Sequence, residues 1–362
     1  MHYIRSHLPG SPVFVISLLL LCLSFVSHAS QTPPNGAVIL LYHHVSDSTP
    51  SSTSVSPLQF AEHMKYVNTH YNVKPLNDVI LALQNGEKLN PDTVVITFDD
   101  GYRNILDNAH PILRQYGFPY TVFINPNEIG QRHNQLSWEQ VNLMQQQGVS
   151  FANHTLDHLH MLERGEDEQE EDWLNRVWEN VEQAEAQLLQ HTGHSLKFLA
   201  FPFGEYNLAL AGRLREKGYI GFAQHSGAIG PHSDFSALPR FAAAGPYAKL
   251  ETLKTKIASL PMPVISSNFP DPQLPAGNPV PGNITLTLSG TDPDLTRANC
   301  YFAGRQITPQ STANTLSFSV ESRLRAGRSR VNCTAPSKSQ GGRYYWYSQP
   351  FFVADKDGKY PD

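Results

Sequence analysis

Two neighbouring carboxylates, Asp99 and Asp100, end the apolar run Val94-Val95-Ile96-Thr97-Phe98 and are followed by Gly101 and Tyr102. The run has strand length, and a glycine lets the chain turn sharply where a strand stops. Acids held beside apolar neighbours are costly unless a cation or a proton compensates them. A plain strand followed by an Asp-Gly turn is the simpler reading of this stretch alone. The cluster His154-Thr155-Leu156-Asp157-His158 shifts the balance. Two imidazoles at that spacing meet on one helical face or across a tight loop and can grip one metal ion. In a chain with 16 histidines the spacing by itself is weak. Joined to a strand-end carboxylate it completes an Asp/His/His set, and three protein ligands with a fourth position open is the pattern of a catalytic zinc. One acid of the pair would bind the ion, leaving the other free to take a proton.

With these motifs the chain resembles the polysaccharide deacetylases, the NodB-like carbohydrate esterases, over roughly residues 37–262. Thr97-Phe98-Asp99-Asp100-Gly101-Tyr102 matches the first family motif, His154 to His158 the second, and Phe201-Pro202-Phe203-Gly204-Glu205-Tyr206-Asn207 is similar to the third. Leu41-Tyr42-His43-His44-Val45 and Leu136-Ser137-Trp138 make it similar to the bacterial deacetylases of poly-N-acetylglucosamine. The resemblance implies an α/β fold, a distorted and incomplete (β/α) barrel, and a divalent ion, zinc above others, held by Asp100, His154 and His158. It makes Asp99 the general base and the backbone N–H of Phe203 a donor to the oxyanion. The general acid is His43, from the first strand, or His225, in the late histidine position used by most other relatives. One departure stands out: Ala200 replaces the arginine that orients the base in most of the family. Arg240, in Leu238-Pro239-Arg240, either substitutes for that cation or is a surface arginine after a proline turn.

The reaction implied is N-deacetylation of a polymer containing N-acetylglucosamine, with poly-N-acetylglucosamine, chitin oligomers and peptidoglycan all compatible. A binding or assembly module that has lost turnover is a rival class. So is a glycosidase, although adjacent acids on one strand do not give its opposed geometry and it has no use for paired histidines. A net charge of −5 offers no reason to invoke nucleic acid.

Around the motifs, strands alternate with helical stretches, which favours a parallel sheet with reactive residues at the strand C-termini. Ser56-Pro57 and Ser137-Trp138-Glu139-Gln140 have the form of helix starts. A further helix is expected around Asn108–Tyr116, and Trp173, Val177, Val181, Ala184 and Leu188 recur at helical spacing after an acidic stretch. Residues 1–29 read as a cleavable signal peptide: Arg5, an apolar core from Val13 to Val26, and Ser27-His28-Ala29 before the cut. The protein is therefore expected to be secreted or periplasmic, without a stable membrane anchor. Residues 263–280, rich in Pro, Asn and Ser, read as a stiff linker, and 281–362 as a β-sandwich. That region holds Cys300 and Cys333, expected to form a disulfide after export. Its run Tyr344-Tyr345-Trp346-Tyr347 offers rings for sugar stacking, but strand alternation places only every second ring on one face.

Overall fold

The computed structural model describes residues 1–3, 35–277 and 279–361. The leader expected over residues 1–29 lies, beyond its first three residues, outside that description. Seven strands run parallel in one sheet, in the order Phe241–Ala242, Ala37–Tyr42, Thr93–Phe98, Thr121–Ile124, Ser150–Asn153, Phe198–Ala200 and Ile220–Phe222, and the short Asn72–Val73 adds beside Thr93–Phe98. Helices between successive strands cover the outer side. Alternation sorts the strand residues. Val38, Leu40, Tyr42, Val94, Ile96 and Phe98 pack outward, in one cluster with Phe60, Met64 and Val67 of the helix Pro57–His70. Ile39, Val95, Phe123, Ala152, Ala200 and Phe222 form the opposite face. Thr97 and Asp99 continue the Val95 face, so an acid ends up inside the curl.

The two ends of the sheet approach each other: Phe222 bridges in parallel to Leu238, two residues before Arg240. Gly221 makes this approach feasible, since a Cβ there would lie 2.0 Å from the Ser236 carbonyl oxygen. The architecture is thus an incomplete barrel. Both expected helix starts carry complete capping boxes, Ser56 with Gln59 and Ser137 with Gln140. The acidic stretch opens the long helix Glu170–Thr192, whose Trp173, Val177, Trp178, Val181, Ala184 and Leu188 are buried. The helix expected around Asn108 instead begins as a π-turn, Ile105–Ala109, before the α-helix His110–Gln115. Pro111 explains the wider turn, because it lacks the N–H that would bond back to Asp107 and its ring crowds that carbonyl.

The C-terminal region builds two more sheets. One is centred on Gly327–Pro336 and Tyr344–Val353, with Asn299–Phe302 and Arg305–Ile307 beyond the former; the other contains Gly282–Leu288 and Thr315–Val320. Ile284, Leu286, Leu316 and Phe318 from the second share a core with Val331, Cys333, Tyr345 and Phe351 from the first. Cys300 and Cys333 are bonded and sit directly opposite each other on neighbouring strands. The stretch 263–280, expected as a linker, contains the strands Val264–Ser267 and Gln273–Leu274, each paired into one of these sheets. Pro33–Asp362 forms one compact unit.

Candidate active site

Asp99 and Arg240 meet inside the barrel mouth with no exposed surface on either side chain. The guanidinium makes two parallel bonds, Nη1 to Oδ1 at 2.7 Å and Nη2 to Oδ2 at 2.8 Å, and its Nε donates to the Ala223 carbonyl at 3.0 Å. This fork geometry fixes both position and charge. Burial alone would raise the Asp99 pKa, but Arg240 and His154 outweigh it and hold the carboxyl below the usual range.

The next residue, Asp100, adopts a left-handed backbone (φ 73°) and turns its carboxylate toward two imidazoles. Its Oδ1 lies 3.2 Å from His154 Nε2 and 3.4 Å from His158 Nε2. One ligand atom from each residue falls within 4.8 Å of the others. Asp100 Oδ1 and His154 Nε2 are buried, yet neither is aligned for a hydrogen bond. His154 Nδ1 must carry a proton, since it donates to the Ala200 carbonyl at 2.8 Å; in the neutral ring this leaves the Nε2 lone pair aimed at Asp100. An anionic oxygen and an imidazole lone pair converging in a buried site suit a divalent cation. Burial would lower the His154 pKa, but Asp99 and Asp100 raise it, whereas His158 is pushed down to about 4 by burial and by His154.

Phe203 closes one side in a left-handed conformation (φ 56°). Its ring is flanked by His160, stacked at 3.8 Å, and by the edge of His158 at 4.6 Å. His43, Asp100, His158, Phe203 and His225 all line one cleft of about 890 Å3. His44, one residue on, faces away: it stacks on Tyr102 at 3.6 Å and bonds to the Asn104 amide. Burial and the nearby Arg330 push His225 down to about 3.

Residues 86–221 match the family model for polysaccharide deacetylases. By that match, residues 86–221 carry a polysaccharide deacetylase domain. Among its relatives, the poly-β-1,6-N-acetyl-D-glucosamine N-deacetylase of Staphylococcus epidermidis is 28% identical over 228 residues, covering 57% of this chain and 78% of that protein. YxkH of Bacillus subtilis is 29% identical over 206 residues, 56% of this chain and 69% of its own length. The structure of the Streptococcus pyogenes deacetylase PplD in complex with acetate superposes with a TM-score of 0.56 at 22% identity, over 62% of this chain and 99% of PplD.

Arg240 immediately precedes the edge strand Phe241–Ala242, whereas Ala200 lies in Phe198–Ala200 toward the other end of the sheet and contributes only its backbone carbonyl, to His154. Asp157 holds the loop rather than either histidine: it accepts from Asn180, which in turn accepts from the Leu156 N–H. Several positioning residues carry no mark in the sequence. Asn104 accepts from the Val45 N–H and Asn108 donates to the Val45 carbonyl, so the π-turn after the acids clamps the segment that follows His43. Asn125 donates to the His154 and Thr155 carbonyls and shapes the histidine loop. Solitary asparagines in polar surroundings have no spacing signature, and their partners here lie far along the chain.

Proposed function

We propose that this protein is an exported, metal-dependent N-deacetylase that removes acetyl groups from a polysaccharide containing N-acetylglucosamine and releases acetate. The observation that carries the reading is the buried convergence of Asp100 Oδ1 and His154 Nε2, each lacking a hydrogen bond, with His158 beside them and the Asp99–Arg240 pair beneath. Asp100, His154 and His158 would hold the divalent ion, zinc being the best match to one carboxylate and two imidazoles. Bound there, such an ion supplies Lewis acidity toward a carbonyl oxygen and makes water more acidic.

The remaining roles fall to the chain itself. Asp99, kept ionised by Arg240, accepts the proton of the attacking water. The Phe203 backbone N–H is the donor assigned to the oxyanion. An amine leaves readily only when protonated, and His43, at the cleft wall, is the acid that gives this proton. His225 is the weaker choice, since a histidine near Arg330 and pushed down to about 3 carries no proton to give at neutral pH. N-acetylglucosamine polymers are favoured by the relatives named for them.

Acetate release from poly-N-acetylglucosamine, chitin oligomers and peptidoglycan tests the reading. Chelation should abolish release and an added divalent ion should restore it; full activity in rigorously metal-free protein would overturn the proposal. Asp100→Asn should lose bound metal. Asp99→Asn should keep it while kcat falls by about 10²–10⁴-fold. Equal metal loss in the two variants contradicts the division of labour between the acids.

A further inference from the structure

The family model ends at residue 221, and 62% of this chain suffices to cover 99% of PplD. More than a third of the chain therefore has no counterpart in that fold. Part of this added region nevertheless lines the same cleft as Asp100 and His158: Tyr301, Arg328, Arg330, Asn332 and Pro350 face it. Alternation explains why. Cys300, Val331, Cys333, Tyr345 and Phe351 point into the sandwich core. Their neighbours point the other way, and the register sets Tyr301 opposite Asn332 and Arg330 opposite Pro350 on that outer face. The outer face is fixed to the barrel at one end by Trp346, whose ring meets Phe241 at 5.2 Å, and at the other by Phe352 against Tyr206 at 5.9 Å.

Two features make this face more than a cover. Arg328 donates through Nη1 to the carbonyl oxygen of Phe203 and to Gln224 Oε1, reaching across 125 residues to the turn that bears the oxyanion donor. Tyr301 keeps 42% of its surface exposed although it lines the cleft. It sits on the hairpin Asn299–Phe302/Arg305–Ile307, closed by Ala303 and Gly304 with φ of 47° and 76°, the tight two-residue turn that holds hairpin strands in register. The Cys300–Cys333 bond pins that hairpin one residue from Tyr301. A flat ring held rigid in a carbohydrate cleft offers an apolar face to a sugar.

Building on the deacetylase reading, we propose that the C-terminal sheet is a wall of the catalytic cleft, in which Tyr301 stacks a sugar ring of the bound polymer beyond the reacting unit and Arg328 is the positioning residue for the Phe203 turn. The wall selects chains of several sugars over short fragments.

The test compares the N-acetylglucosamine dimer and hexamer by acetate release, and measures hexamer binding to chelated protein by calorimetry. Tyr301→Ala should raise KM for the hexamer about 5–10-fold relative to the dimer and weaken hexamer binding equally, the scale of one lost ring contact. Tyr301→Phe should restore both, and Leu189→Ala, at an exposed position of the helix Glu170–Thr192 away from the cleft, should change neither. Arg328→Ala should lower kcat with little change in KM, and Arg328→Lys should recover part of it. Acetate release with an unchanged dimer-to-hexamer KM ratio in Tyr301→Ala, or unchanged kcat in Arg328→Ala, overturns the wall and leaves the deacetylase reading standing. Hexamer binding that depends on Tyr301, without acetate release from any substrate, supports the sugar platform and defeats the reaction instead.

Discussion

Arg240 and Asp99 place a full charge pair where no water reaches. Desolvating both groups offsets much of their attraction, so the pair adds little net stability, but removing one partner strands the other in an apolar site. Arg240→Ala should therefore destabilise the fold by about 3–5 kcal/mol, read by urea denaturation, and depress acetate release more than it weakens substrate binding. Arg240→Lys should recover part of the stability but little of the rate, since an ammonium cannot make two parallel bonds and also reach the Ala223 carbonyl. Wild-type stability and rate in Arg240→Ala would show that the pair organises nothing. The sequence made the acids, the two histidines and the missing arginine at Ala200 legible, because each belongs to a local motif. It left Arg240 with two readings, since its partner lies 141 residues away. Asn104, Asn108 and Arg328 act through contacts of the same long-range kind, and nothing in their immediate neighbours marks them.

At the scale of elements, the site depends on how the strand Thr93–Phe98 ends. Asp100 and Gly101 are both left-handed, with φ of 73° and 69°, and a Cβ on Gly101 would stand 2.8 Å from Ile124 Cγ2. Gly101→Ala combines backbone strain with overpacking, so a loss of about 1–3 kcal/mol is expected. Because the turn aims the carboxylate, the metal content of the purified variant should fall with its stability; an alanine variant that binds metal and melts like the parent would refute this. Long periodic elements were readable in the sequence for the same reason that they are stable: an apolar stripe recurring through Glu170–Thr192 leaves one way to bury it. The strands Val264–Ser267 and Gln273–Leu274 were not. They have four and two residues, too few to show a period, and prolines around them mimic a linker. The aromatic run at Tyr344 was read correctly as alternating, but which face met the barrel depended on a packing partner far away: Tyr345 enters the sandwich core and Trp346 meets Phe241.

For the whole molecule, the question is how firmly the C-terminal sheets are held as a partner to the barrel. The disulfide closes a loop with a sequence separation of 33 across adjacent strands, and both sulfurs are buried. In the chain-entropy model a loop of that size contributes about 3–4 kcal/mol by restricting the unfolded chain. Export to an oxidising compartment is what would allow the bond to form. Mass spectrometry of unreduced, exported protein should recover the peptides around Cys300 and Cys333 joined. Replacing both cysteines by alanine should lower Tm by roughly 4–6 °C, taking about 1.4 °C per kcal/mol for a cooperative unit as large as Pro33–Asp362. The same variant should raise KM for the acetylated hexamer more than for the dimer, because the bond fixes the strand that carries Tyr301 while Asp100, His154 and His158 lie on the barrel. Metal content should stay at the parental value for that reason. Loss of metal together with the Tm shift would mean that the barrel mouth itself needs the C-terminal sheets to stay folded, and the wall would then be a structural support before it is a sugar site.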